Sequence, residues 1–334
     1  MKSVFARTQI LMYIVRKETL PREITIYWIF TVLLNVKLFN RLLDLRFGDC
    51  SRIELAKKSA MFGVVVSIFL ITIKLCALEI TGSISMRASL MDSILDALFS
   101  FLAYHALVFS DTNLDKKHNF GREKVESIAA LFQCLLVVYT GIMVYCEAYE
   151  TFLNPKPLTS TGLGISIMVI SCLAVYNLLY FQRYVVTKTD SLLIHGDSLH
   201  YLSDFLMNIS IMISLILSQF FLWIDVLCGV MVGGYVLRSA FPIIKNALMD
   251  LMDTALPPKV QEQIMKVIES TDGVESVKTF RTRSAGMKKY VESRVAVGKA
   301  TSLREANEIS ESIESKIKKM FEKVDVIVKV EPRD

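Results

Sequence analysis

The sequence predicts a membrane all-α bundle of six transmembrane helices followed by a small α+β domain, and three observations carry that prediction. The 334 residues are 53% hydrophobic with a mean hydropathy of +0.44, too apolar for a soluble domain of this size. Six apolar stretches of spanning length run at about 60–80, 90–110, 127–147, 161–182, 192–219 and 222–243. Beyond Leu251-Met-Asp-Thr-Ala-Leu-Pro-Pro258, paired prolines and a fall in hydropathy mark a boundary. The expected division is an N-terminal extension over 1–58, a transmembrane domain over 59–250 and a cytosolic α+β domain over 254–334.

In the extension, Met1 to Arg22 is basic and Ile24 to Val36 is apolar but too short for a bilayer, which needs about 20 residues. It reads as an interfacial helix, a re-entrant segment or sequence upstream of the true start. No small-residue cleavage site follows it, so a removable signal peptide is not expected. The loops set the orientation of the spans. Lys116, Lys117, Arg122, Lys124, Arg183 and Lys188 follow the second and fourth spans, against only Arg87 and Lys156 after the first and third. The positive-inside rule then places both termini in the cytosol. This bias absorbs much of the +5 net charge, and no nucleic-acid partner is implied. The six cysteines are isolated, with no C-x-x-C pair, and read as small buried hydrophobes.

Two spans carry ionisable stripes. In the second, Asp92 and Asp96 stand four residues apart; in the fifth, His200, Asp204 and Asn208 keep the same spacing. Residues four apart share a helical face, and ionisable groups at membrane depth read as a functional site. If the two helices face each other, they offer three carboxylates and one imidazole, a set suited to four-coordinate binding of a zinc-type dication. No further acid or histidine is expected on those faces. His105 lies nine residues past Asp96, about 180° round the helix, and His195 lies five before His200; both point elsewhere. Lys74, near the outer end of the first span, is expected to snorkel to the interface. Gly229 and Gly233 form a small-xxx-small face that serves bundle packing or dimerisation equally well.

The C-terminal region reads as α-β-β-α-β. A helix runs from Lys259 to Ser270, with strands over Val274 to Arg281 and Tyr290 to Val297 joined near Ser284-Ala285-Gly286. The second helix opens at Ser302 with Glu305 completing a capping box. Its apolar stripe is Leu303, Ala306, Ile309, Ile313, Ile317 and Met320, and a last strand covers Val324 to Val330. Residues 254–334 contain no histidine and no cysteine.

D-S-I-L-D in the second span, H-N-F-G-R-E-K-V-E-S in the following loop and H-Y-L-S-D in the fifth span resemble the cation diffusion facilitators, closest to their bacterial zinc and ferrous-iron efflux branch. The resemblance runs from about Cys50 to Pro332. It implies a homodimeric, multi-pass exporter of the bacterial inner membrane that moves Zn²⁺, or Fe²⁺ or Cd²⁺, against protons, with no cofactor. The ion would be held by Asp92, Asp96, His200 and Asp204. It also implies a ferredoxin-like cytosolic domain that pairs with its twin. In the loop, Asp115 and His118 match two ligands of a second metal site, but Arg122 stands at the third, and a guanidinium has no lone pair to give. Lys278, Arg294 and Lys329 occupy the places where zinc-binding members carry histidines, leaving Glu331 the sole oxygen ligand. Lys124, Asp253 and Arg283 match charges that tie bundle to cytosolic domain. Two other readings compete. A non-transporting scaffold or heterodimer partner is opposed by the intact four-ligand site. A membrane metallohydrolase would need an open water position and a general base.

Overall fold

The computed structural model describes residues 47, 50–81, 84–111, 117–153, 162–217 and 223–333. Two compact units divide the chain, Met1–Leu55 and Ala56–Asp334. The N-terminal stretch from Met1 to Val36, given three readings above, lies outside the described residues.

Among the described residues, six long helices precede the small domain: α1 (Arg52–Thr81), α2 (Ile84–Ser110), α3 (Lys124–Leu153), α4 (Gly162–Thr189), α5 (Leu192–Leu217) and α6 (Ile224–Leu251). Five are long and apolar enough to cross a membrane. The other, α5, is 26 residues long and carries His195, Asp197, His200, Asp204 and Asn208. Large apolar side chains such as Phe69, Leu98, Phe132 and Met231 point outward, as they do in a bundle whose solvent is lipid. Within the bundle α5 is central, packing against α2, α3, α4 and α6. Its fully buried Tyr201 sits among Val66, Leu70, Val175 and Leu178, and its hydroxyl meets Ser67 Oγ at 2.6 Å and Ser100 Oγ at 2.8 Å. Gly229 and Gly233 face α3 of the same chain: a Cβ at Gly233 would lie 3.2 Å from the Tyr145 ring and 3.5 Å from the Gly141 carbonyl oxygen. Close helix packing inside the bundle uses that face. The cysteines depart from expectation in part. All are free, but only Cys134 and Cys172 are buried, while Cys76 and Cys146 are exposed on the outer face.

The small domain is α7 (Pro258–Glu269), β1 (Ser276–Ala285), β2 (Lys288–Val297), α8 (Leu303–Lys318) and β3 (Val324–Pro332). β1 and β2 pair antiparallel; β2 and β3 pair parallel, a connection that needs a crossover, here α8. Ile264, Ile268, Val291, Val295, Ile313, Ile317 and Val326 fill the space between helices and sheet. The capping box is formed: Glu305 N donates to Ser302 Oγ and Ser302 N donates to Glu305 Oε2. Leu303 leaves the expected stripe and is 90% exposed, because the first residue after the cap precedes the turns that cover the sheet.

Candidate metal centre in the bundle

The facing of α2 and α5 brings Asp96, His200 and Asp204 together, one donor atom from each lying within 4.8 Å of the others. His200 Nε2 stands 2.9 Å from Asp96 Oδ1 and 3.8 Å from Asp204 Oδ2. The imidazole is held edge-on by Phe99, with ring centroids 5.2 Å apart, so its orientation is fixed by packing. Asp204 Oδ2 is buried and has no hydrogen-bond partner. An orphaned buried carboxylate oxygen is costly unless something else satisfies it, and a cation would. Asp92 is not among the three close groups. It is exposed and lines the same cavity of about 370 Å³, one turn of α2 away from Asp96.

Two neighbours escape the sequence reading. Lys74 does not snorkel: it is 9% exposed and turns inward, its ammonium donating to Ser89 O at 2.9 Å and Ser93 Oγ at 2.7 Å. Polar acceptors within the bundle outcompete the interface at that depth. Asp197, one turn before His200, is fully buried, and accepts from Gln133 Nε2 at 2.8 Å and Gln182 Nε2 at 2.6 Å. The expectation of no further acid on that face therefore fails. Its signal was present in the i, i+3 spacing to His200, which a search for i, i+4 stripes passes over. His105 and His195 do lie away from the site, both exposed.

In the loop after α2, Asp115 lies outside the described residues. His118 is engaged otherwise, accepting at Nδ1 from Arg122 Nε at 3.3 Å, while the guanidinium packs over the Phe109 ring. On the sheet, Glu331 is already paired with Lys329 at 2.7 Å and lies 3.9 Å from Lys278.

Lys124, Asp253 and Arg283 converge. Lys124 Nζ reaches Asp253 Oδ2 at 3.0 Å and Arg283 reaches Asp253 Oδ1 at 2.9 Å. Burial works to raise the Asp253 carboxyl, yet hydrogen bonds from Lys124 and Arg283 hold it below the usual carboxylate range. The sequence reading missed Asp250, one turn earlier and buried, which accepts from Ser127 Oγ, Ser284 Oγ and Gly286 N at 2.5, 2.6 and 2.9 Å. It pins the β1–β2 turn to the ends of α3 and α6.

The family described as Cation efflux transmembrane domain matches residues 60–252. The one described as Cation efflux protein, cytoplasmic domain, matches residues 256–333. The Cation-efflux pump FieF of Yersinia enterocolitica is 32% identical over 280 residues, covering 84% of this chain and 93% of its own. FieF of Serratia proteamaculans aligns with the same identity and coverage. A nickel form of the MamM CTD aligns with 23% of this chain and all of its own at 22% identity and a TM-score of 0.22.

Proposed function

The chain belongs to the cation efflux family, the cation diffusion facilitators, and on that premise we propose that it exchanges cytosolic Zn²⁺, or a similar ion such as Fe²⁺ or Cd²⁺, for external protons. At the coarser level it is a multi-pass membrane exporter of metal cations, with a dimerisation domain at its C-terminal end, and not an enzyme.

The observation that carries the finer reading is the cluster of Asp96, His200 and Asp204 with its orphaned oxygen. Asp92 would complete the set from one turn away. An imidazole among carboxylates suits borderline dications and argues against a site dedicated to manganese, which prefers oxygen throughout. Proton exchange follows from the same contact. A hydrogen bond of 2.9 Å between His200 Nε2 and Asp96 Oδ1 holds a proton between them. A metal that takes both atoms as ligands needs the nitrogen lone pair and an ionised oxygen, so that proton must leave the bond. In the antiport reading it goes to the cytosol, and an external proton replaces it when metal departs.

Full-length protein in proteoliposomes tests this with Zn²⁺, Fe²⁺, Cd²⁺ and Mn²⁺ flux. The lumen, standing for the outside, should accumulate Zn²⁺ against its gradient when made more acidic than the bath, and Mn²⁺ should move least. Flux indifferent to the imposed pH difference, with no proton counterflow seen by a lumenal dye, leaves facilitated diffusion and removes antiport.

A further inference from the structure

The cavity lined by the candidate carboxylates Asp92, Asp96 and Asp204 is also lined by a cation, Lys74. Lys74 Nζ is anchored on Ser89 O and Ser93 Oγ, that is, on the turn of α2 that carries Asp92 and leads to Asp96. Asp92, Asp96, Glu147 and Asp204 are the carboxylates that line the cavity with it. Both anchors lie N-terminal to Asp96 on α2, and Lys74 lies in the last turns of α1, which the loop charges place at the outer side. An ammonium is never a metal ligand, having three donors and no lone pair. An ionisable group at that depth marks a functional site by default.

We propose that Lys74 is the resident counter-cation of the transport cavity, held level with Asp92 and on the outer side of Asp96, where it offsets the carboxylates' charge when the metal is absent and weakens their hold on it when the metal is present. The inference rests on reading the cavity as the transport site. Without such a charge, three carboxylates and an imidazole would bind a dication tightly and release it slowly. A single positive charge fixed nearby repels the ion in every state, lowering affinity where fast release matters more than tight capture. Lys74 is thus a positioning residue, acting through the field it sets across the ligands. Because Ser93 lies between the two α2 ligands in sequence, its bond to Lys74 also holds that turn in register.

The test is Zn²⁺ titration of the full-length detergent-solubilised protein, paired with Zn²⁺ flux in proteoliposomes, for Lys74→Gln, Lys74→Met and Lys74→Arg, with Asp204→Ala as reference. The neutral variants should bind Zn²⁺ about tenfold or more tightly, the order expected of one charge acting through protein interior. Their maximal flux should fall by a similar factor while KM also falls. Arginine should restore both toward wild type. Lys74→Met keeps the aliphatic bulk should glutamine fail to fold. Unchanged or weaker Zn²⁺ binding in a folded neutral variant, with arginine behaving no differently, overturns the proposal. If Asp204→Ala still binds Zn²⁺ like the wild type, the site assignment itself falls, a result separable from the behaviour of Lys74.

Discussion

At the scale of single residues, the side chains that matter are buried polar groups with incomplete partners. Asp204 Oδ2 lacks any hydrogen bond, whereas Asp197 has a donor on each oxygen from Gln133 and Gln182. The first is therefore poised for a ligand, and the second is spoken for. Asp204→Ala removes one donor and one negative charge from a crowded site, so flux should be lost while the melting temperature stays within a few degrees, each kcal/mol being worth roughly 2–4 °C at this size. Flux assay and thermal melt on the same preparation read both quantities; retained zinc flux would contradict the site assignment.

At the scale of elements, the β1–β2 turn is the piece with least room. Gly286 has a φ of +54°, and a Cβ there would stand 2.8 Å from Glu126 Oε2 and 2.9 Å from the Glu123 carbonyl oxygen. The turn seats against the start of α3, with Gly286 N donating to Asp250. A left-handed conformation strains a side-chain-bearing residue by about 1–3 kcal/mol before any clash is counted. Gly286→Ala should accordingly unseat the turn, speeding limited proteolysis near Ser284 to Lys288 and lowering flux, while Zn²⁺ affinity in the bundle holds. Equal loss of affinity and flux would mean that the turn shapes the metal cavity itself. The other local devices are ordinary by comparison: the capping box at Ser302 starts α8, and the crossover it makes allows β3 to lie parallel to β2.

At the scale of the whole molecule, two ionic straps join the helices to the small domain. One is Asp253 with Lys124 and Arg283; the other, unseen in the sequence reading, is Asp111, bonded by Lys57 at 2.7 Å and by Lys323 at 2.5 Å. Asp111 closes α2, the helix carrying Asp92 and Asp96, and Lys323 lies just before β3. Burial pushes the Asp111 carboxyl up, but hydrogen bonds from Lys323 and Lys57 prevail and hold it below its usual value. A depressed carboxyl contributes stability that is present above its unfolded value of about 3.9 and is lost as pH falls through the lower folded value. Each strap is partly exposed and worth no more than about 1 kcal/mol, so their effect is on register. Lys323→Ala should raise hydrogen exchange along β3 and the end of α2 at pH 7, and acidification below about pH 4 should reproduce that pattern in the wild type. Exchange that is unaltered by both treatments would leave Asp111 a surface pair without a coupling role.

The sequence alone determined the class of this protein, because hydropathy and periodicity are local properties. Six apolar stretches became six helices, Asp96 of the α2 stripe met His200 and Asp204 of α5 while Asp92 stood a turn away, and the α-β-β-α-β order with its capping box emerged as expected. Lys124, Asp253 and Arg283 were legible too, through resemblance. Only tertiary structure decided which polar residues turn inward. Lys74 looked like a snorkelling lysine and instead faces the carboxylates, because Ser89 and Ser93 from another helix offer it acceptors. What satisfies Asp197, Asp250 and Asp111 was hidden for the same reason: their partners, Gln133, Gln182, Ser284 and Lys323, are 15 to 212 residues away in the chain. Periodicity says which face of a helix a residue occupies, but the partner that makes a buried charge tolerable comes from an element packed against that face.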